Sequence, residues 1–134
     1  MAGAASNYLE LKLLDHALGT ATYTKPAAVY VALFTADPGE AGVFTNEIST
    51  SGTAYSRKVV TFAGATSGSA ASSATVTFDT ATANWGTIGF LAVTDSATAG
   101  AGNILFFGPV TTSKVIETGD TFQITAGNLT VSMD

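Results

Sequence analysis

The sequence predicts a mostly β protein: an antiparallel β-sandwich, jelly-roll-like in its strand order, with one short amphipathic helix at the N-terminus. Two observations support this fold class. Only residues 6–19 show an extended helical pattern of apolar positions. From residue 27 to residue 134, roughly eight short apolar or alternating runs follow one another, separated by Gly-rich turns. A chain of 134 residues is most simply one domain, 1–134, and residues 1–5 are expected to be flexible.

Residues 6–19 carry the signals of a helix with defined ends. Ser6 or Asn7 can serve as the N-cap, and Gly19 follows the last periodic residue, where a helix commonly ends. A helix of about three turns is unstable alone in water, so it must pack on another surface. Its own sandwich is the favoured surface, and a neighbouring subunit is the alternative. The apolar residues that lie on or beside one predicted face are Leu9, Leu13, Leu14, Ala17 and Leu18.

The run from Asn84 to Asp95 is predicted to be the central strand. It opens with the only tryptophan, Trp85, and is apolar at both odd and even positions, which is typical of a strand buried on both faces. Gly89 indicates a bulge or a close backbone contact in its middle. Residues 27–35 form a second run of this kind and are predicted to pair beside it. One layer covering the central strand comes either from this chain or from another molecule.

The remaining elements are short strands joined by turns. Residues 55–62 and 74–79 are predicted strands, and the second should direct Val76 and Phe78 inward. Residues 39–53 and 64–73 are predicted loops, the first with a short strand at Val43–Phe44. Four further strands are predicted. The first is 103–107, stopped by Gly108–Pro109, and the second is 114–117. The last two, 121–125 and 128–133, form a terminal hairpin joined at Ala126–Gly127.

The composition indicates a surface that other molecules cover. Only 11% of the residues are charged, against roughly 25% in ordinary soluble domains, while 46% are hydrophobic and the mean hydropathy is +0.35. A net charge of −5 with scattered basic residues argues against a nucleic-acid partner. The apolar runs are too short for a membrane span, and the start lacks the pattern of a signal peptide. We therefore expect neither nucleic acid nor a membrane as a partner.

No residue set in the sequence suggests catalysis. His16 is the only histidine and there is no cysteine, which disfavours a catalytic base beside a nucleophile and a transition-metal site. The aspartates adjoin turn residues, where they commonly form local hydrogen bonds. Most aromatic residues, Trp85 included, lie in strand patterns and are interpreted as core. We therefore expect no enzyme activity, no cofactor and no metal site.

Several stretches of the sequence together carry a resemblance to a known protein family. They are residues 7–10, 13–16, 18–19, 29–35, 55–57, 76–78, 84–88, 112–114 and 119–122 and the terminal hairpin. The resemblance is to small tailed-bacteriophage virion proteins of the head cement or decoration type, whose members are often labelled tail-fibre proteins. It implies a structural protein made in the bacterial host cytoplasm and placed in the phage head, where it binds across neighbouring major capsid protein subunits as a homo-oligomer.

Five residues are the predicted contacts with partner proteins. Tyr8, Leu9 and Leu13 lie on the helix, and Phe44 and Ser67 lie in the two long loops. Two other functions stay open at this stage. The first is a tail or tail-fibre component that mediates attachment, and the second is a carbohydrate-binding module that uses aromatic side chains.

Overall fold

The computed structural model describes residues 4–133, and residues 1–3 and 134 lie outside the described range. The described part is mostly β, with one short N-terminal helix, as the sequence predicts. Its elements are β1 (Ala4–Ala5), α1 (Asn7–Ala17), β2 (Val29–Phe34), β3 (Lys58–Val60), β4 (Ser69–Ala71), β5 (Val76–Thr77), β6 (Gly86–Thr94), β7 (Ile104–Ile116), β8 (Gln123–Ile124) and β9 (Thr130–Ser132).

The largest element is a five-stranded antiparallel sheet with the strand order β1-β7-β6-β2-β3. The run from Asn84 to Asp95 contains β6, which lies at the centre, and β2 pairs with it so that Leu33 faces Leu91. Both predictions are confirmed. The register between β6 and β7 shifts between Ile88 and Phe90, so the pairing is irregular at Gly89 as predicted, but the extra residues lie in β7.

The second layer is an antiparallel ribbon that covers one face of this sheet. It consists of the β4–β9 and β5–β8 ladders, which the Ser72–Leu129 and Phe78–Phe122 backbone hydrogen bonds continue beyond the strands. Hydrogen bonds from Ala63 and Ser73 join its β4–β5 side to the chain after β3. We call residues 69–81 and 119–132 the outer ribbon.

The main core lies between the sheet and the outer ribbon, and a second cluster lies on the opposite face of the sheet. In the main core, the ring of Phe78 contacts those of Tyr55, Trp85 and Phe122. Trp85 is only 5% exposed, so its interpretation as a core residue is confirmed. Both faces of β6 are therefore covered by this chain. The second cluster contains Ala32, Phe34, Ala92, Ile104 and Phe107, with Phe44 and Phe90 packed against it.

The jelly-roll arrangement is not confirmed, because the second layer is a ribbon of two short ladders rather than a second full sheet. The prediction of a terminal hairpin is wrong. The strands β8 and β9 pair with β5 and β4 instead of with each other. In the turn between them the Gly127 N–H donates to the Ser72 carbonyl oxygen at 2.8 Å, which ties this turn to the 69–81 half of the outer ribbon.

Strand β7 continues through Gly108–Pro109, where the sequence predicts a stop. Proline has no N–H to donate and is tolerated in a strand along an open edge. Strand β1 pairs with β7 only at Phe106 and Phe107, so it does not reach Pro109. Pro109 pairs with β6 on one side, and among the described residues the edge of β7 on the other side is open there. The predicted strands 103–107 and 114–117 are consequently parts of one strand.

Three smaller predictions also need correction. Residues 4–5 of the segment expected to be flexible form β1, because their backbone pairs with β7; residues 1–3 lie outside the described range. The loop 64–73 contains β4, whose entry is a tight turn in which Thr66 and Ser69 exchange backbone hydrogen bonds. No strand forms at Val43–Phe44, which lies between two turns.

Helix α1 begins and ends where the sequence predicts. The Leu9 N–H donates to the Ser6 hydroxyl oxygen at 3.3 Å, and Gly19 follows the helix with a φ of +79°. The Ser6 hydroxyl also donates to the Ile104 carbonyl, and the Asn7 N–H donates to the Glu40 carbonyl oxygen at 2.9 Å. These bonds fix the first turn of the helix beside β7.

Candidate interaction surfaces

A buried ion pair fixes the loops at one end of the sheet. The Arg57 guanidinium donates from Nε to Glu47 Oε2 and from Nη2 to Glu47 Oε1, both at 2.8 Å. The exposed fractions of the two side chains are 0% and 3%. Arg57 Nη1 also donates to the carbonyl oxygens of Ser96 and Ala101, at 2.8 and 2.9 Å. The pair thus connects the loop before β3 with the loop after β6.

Both carboxylate oxygens of Glu47 accept a second hydrogen bond. The Tyr55 hydroxyl donates to Oε2 at 2.7 Å, and the Gly100 N–H donates to Oε1 at 2.8 Å. The Phe44 ring centre lies 5.0 Å from Arg57 Cζ, so the network also holds the aromatic ring of this loop. Within residues 4–133, every buried polar side-chain atom has a hydrogen-bond partner. The network thus connects these loops to one another.

Stability should depend on alkaline pH through Tyr55. Burial, followed by the adjacent Glu47 carboxylate, raises the pKa of the Tyr55 phenol far above its usual range. Its contribution is fully present below about pH 10, the pKa in an unfolded chain, and is lost above it because only the unfolded state releases the proton. Urea unfolding between about pH 9 and pH 12 should show a fall of up to about 1.4 kcal/mol per pH unit. Tyr55→Phe should flatten this slope, and an unchanged slope would contradict the assignment.

The loop after β6 offers a matched pair of glycine substitutions. Gly100 and Gly102 both have a φ of +75°, but a Cβ at Gly102 would lie 2.5 Å from Ser96 Cβ, whereas none of the surrounding atoms lies within 4 Å at Gly100. The left-handed conformation costs an L-residue about 1–2 kcal/mol, and a steric clash adds about 1–3 kcal/mol. Gly102→Ala should therefore destabilise the fold more than Gly100→Ala in urea unfolding. Equal losses would mean that the loop relaxes freely.

The outward face of α1, together with its C-cap residue Leu18, carries three exposed leucines. Leu11, Leu14 and Leu18 are 64%, 56% and 75% exposed, whereas Leu9 is only 4% exposed and packs inward. The spacing i, i+3, i+7 places the three on one side of the helix. We call them the leucine ridge. The helix therefore has apolar side chains on two opposite faces, and the prediction that Leu14 and Leu18 lie beside the packed face is corrected.

An apolar groove opens between the sheet and the outer ribbon. Its volume is about 370 Å³, and Ser69 is its only lining residue with a polar side chain. We call it the apolar groove. The lining residues with larger apolar side chains are Val29, Phe62, Val93, Leu105, Phe106, Val131 and Met133.

A wider cleft lies between the second half of β7 and the β8 side of the outer ribbon. Its volume is about 740 Å³, and it has Phe122 and Ile124 among its apolar lining residues. Its lining includes one cation, Lys114, and no carboxylate. This composition suits hydrogen bonding to neutral polar groups and does not provide the paired carboxylates of glycoside hydrolysis. The lining threonines are Thr111, Thr112, Thr121, Thr125 and Thr130.

The described residues contain no group of three or more His, Asp or Glu side chains placed to hold a metal ion. Nor does the part of the chain from residue 4 to residue 133 include a helix with the length and hydrophobicity to cross a membrane. His16 accepts a hydrogen bond at Nδ1 from the Tyr23 N–H, at 3.1 Å. It thus has a local structural partner.

One protein family matches this chain from residue 4 to residue 132. The family is described as podophage GP4 fiber I protein gp80, or Gp80. The chain belongs to the Gp80 family. It is therefore a structural phage virion protein, which confirms the resemblance to phage virion proteins at this level. No curated protein matches the chain.

The Gp80 chain brings only some of its predicted contact residues to the surface. Leu9 is an anchor of α1, so it does not present a surface to a partner. Tyr8 and Leu13 are half-buried, and Lys12 Nζ lies 5.8 Å from the centre of the Tyr8 ring. Their contact with other proteins stays a prediction.

The two loop residues have different environments. Phe44 is half-buried, and its ring stacks on Phe34 with ring centres 6.5 Å apart. Ser67 is exposed at the turn before β4, with a φ of +53°. The sequence reasoning did not identify the ion pair of Glu47 with Arg57. The available signal was an arginine directly before an apolar strand in a chain with few charges.

Proposed function

We propose that this Gp80 chain is a non-enzymatic subunit of the phage tail, of the tail-fibre type. The observation that carries the proposal is the family match over residues 4–132 to a family described as a fiber protein. The exposed leucines and the low charge are consistent with a protein that is covered by neighbours in a particle.

The proposed role is mechanical rather than chemical. Each copy buries apolar surface against neighbouring subunits, at roughly 25 cal/mol for each Å² removed from water. A surface with few charged side chains loses little hydration energy when it is covered. Separation of the subunits must expose that surface again, so the assembly resists dissociation.

The second candidate is a head cement protein that binds across neighbouring major capsid protein subunits and stabilises the packed head. It is favoured by the resemblance of residues 7–10 and 84–88 to cement-type proteins. The two-layer arrangement of the described residues also suits a protein that lies on a shell. In this role it would form a homo-oligomer on the capsid surface.

Antibody labelling of intact virions separates the two candidates. Gold particles at the tail support the tail-fibre proposal, and gold particles over the whole capsid support the cement role and overturn the tail placement. Virions that lack the protein provide the control for nonspecific labelling. Heads without a cement protein should also burst at lower temperature than wild-type heads.

The carbohydrate-binding alternative has little support from the geometry. Trp85, the residue best suited to a sugar platform, is 5% exposed and donates from its indole N–H to the Thr53 carbonyl oxygen at 2.8 Å. A glycan array offers the test, and a glycan signal that survives competition controls would restore this alternative.

A further inference from the structure

We propose that copies of this chain associate head to tail, with the leucine ridge of one copy seated in the apolar groove of the next. The ridge consists of Leu11, Leu14 and Leu18, and the groove lies between the sheet and the outer ribbon. One chain thus carries both an exposed apolar projection and an exposed apolar recess. The proposal concerns self-association and holds for a tail or a head location.

The ridge has the spacing of a helix that packs into a partner. Leu11, Leu14 and Leu18 occupy positions equivalent to a, d and a of a heptad, which form a narrow apolar stripe. The N-terminal cap and Leu9 hold the first turn of α1 to its own body, so the stripe is presented outward on a fixed element. Little ordering of the helix is then needed on association.

The volumes of the two features agree. A cavity that accepts one large apolar side chain or a benzene molecule measures about 150 Å³. The groove measures about 370 Å³, which corresponds to roughly two to three leucine side chains. The groove can therefore take the side chains of the ridge while the helix backbone remains outside.

Charge favours contact of the ridge with the groove over contact of two ridges. Glu10 precedes Leu14 by four residues, and Asp15 follows Leu11 by four, so both carboxylates flank the ridge. A two-fold pairing of ridges would bring these acidic side chains together, which is unfavourable. None of the described residues that line the groove is charged, so the lining itself presents no like charge to these carboxylates.

The ridge and the groove are different surfaces of the chain, so their contact is heterologous. The helix is hydrogen-bonded to the loop at Glu40, and this loop leads to Phe44 in the second cluster. The groove lies on the opposite face of the sheet, on the side of the main core, where Val93 lines it. A heterologous contact repeats from copy to copy and produces either a closed ring or an open filament. A repeating contact of this kind suits a virion component.

The test uses the purified chain, with molar mass measured by light scattering after size exclusion. The wild type should form concentration-dependent assemblies. Leu14→Asp changes the ridge at an exposed position, and Met133→Glu changes the groove at a residue that is 47% exposed. Each should weaken association by roughly 100-fold or more, because a charge replaces a buried apolar side chain. Val115→Asp, at an exposed position outside both surfaces, is the matched control and should assemble like the wild type.

Mixing the two defective variants gives the decisive result. Leu14→Asp retains an intact groove and Met133→Glu an intact ridge, so an equimolar mixture should form a 1:1 dimer that neither variant forms alone. Ala70→Glu serves as a second groove variant, and the urea midpoints establish that all variants are folded. A monomeric wild type, a Leu14→Asp variant that still assembles, or a mixture that stays monomeric would each overturn the proposal. All of these outcomes are measured on the purified chain in solution. A failure of this proposal can therefore be distinguished from a failure of the proposed location in the virion, which is tested by labelling of virions.

Discussion

Glu47→Gln should lower the free energy of unfolding by about 3–5 kcal/mol, the cost of removing one partner from a buried ion pair. Each carboxylate oxygen of Glu47 accepts two hydrogen bonds. In glutamine an amide nitrogen, itself a donor, replaces one of these oxygens and would face donors such as Arg57 Nε or the Tyr55 hydroxyl. The Arg57 charge would also lack a counter-charge. Such a loss is a large part of the roughly 5–15 kcal/mol that stabilises a domain.

Urea unfolding measures this effect, with Asp79→Asn as the matched control. The control removes the other ion pair of the described residues, in which Lys58 Nζ lies 3.0 Å from Asp79 Oδ2 at an exposed site. Exposed pairs contribute about 0–1 kcal/mol. Losses of equal size for the two variants would contradict the structural role of the buried network. Glu47→Leu combined with Arg57→Met should recover part of the loss, because no unpaired charge then remains buried.

Phe78→Ala should cost about 3–5 kcal/mol, the usual range for deletion of a buried aromatic ring. Phe78 is 1% exposed, and its ring centre lies 5.8 Å from that of Phe122 and 6.2 Å from that of Tyr55. The ring joins the outer ribbon to the sheet. Its removal leaves a cavity between the two layers that rigid strands cannot close.

The matched control for this substitution is Phe44→Ala. Phe44 is half-buried, so the same chemical change should cost roughly 1–2 kcal/mol. Urea midpoints and slopes give both values. If Phe78→Ala cost no more than Phe44→Ala, the packing of the outer ribbon on the sheet would not be the main source of stability.

Patterns within short stretches of the sequence were sufficient to predict the helix ends, the central strand and the inward-facing residues of one strand. The helix ends at Ser6 and Gly19 follow from side-chain and backbone preferences within a few residues. The central place of β6 follows from apolar residues at both odd and even positions, since such a strand must be covered on both faces. The inward direction of Val76 and Phe78 follows from alternation along one strand.

The same local patterns did not predict which distant segments pair with each other. The Ala126–Gly127 turn predicts a hairpin locally, but β8 and β9 find better partners in β5 and β4. Gly108–Pro109 reads as a strand end, yet an open edge tolerates it. The partner of Arg57 lies ten residues earlier, in a loop that forms only an isolated bridge with Phe34, so periodicity gives no indication of the pair.

Prediction of the interaction surfaces was limited by the helix itself. Apolar residues lie on two opposite faces of α1, and a periodic pattern alone does not distinguish the packed face from the exposed one. The structure makes this distinction by burying Leu9 and exposing Leu14. The apolar groove combines residues from six separate segments, so it becomes visible only in the folded chain.

Quantitative mass spectrometry of purified virions tests the central claim most directly. A structural subunit should be present in multiple copies per particle, at a constant ratio to the major capsid protein through gradient purification and nuclease treatment. That constant ratio is the result we predict. Loss of the protein during purification, with its recovery only in the soluble fraction of the infected host, would contradict a structural role in the virion.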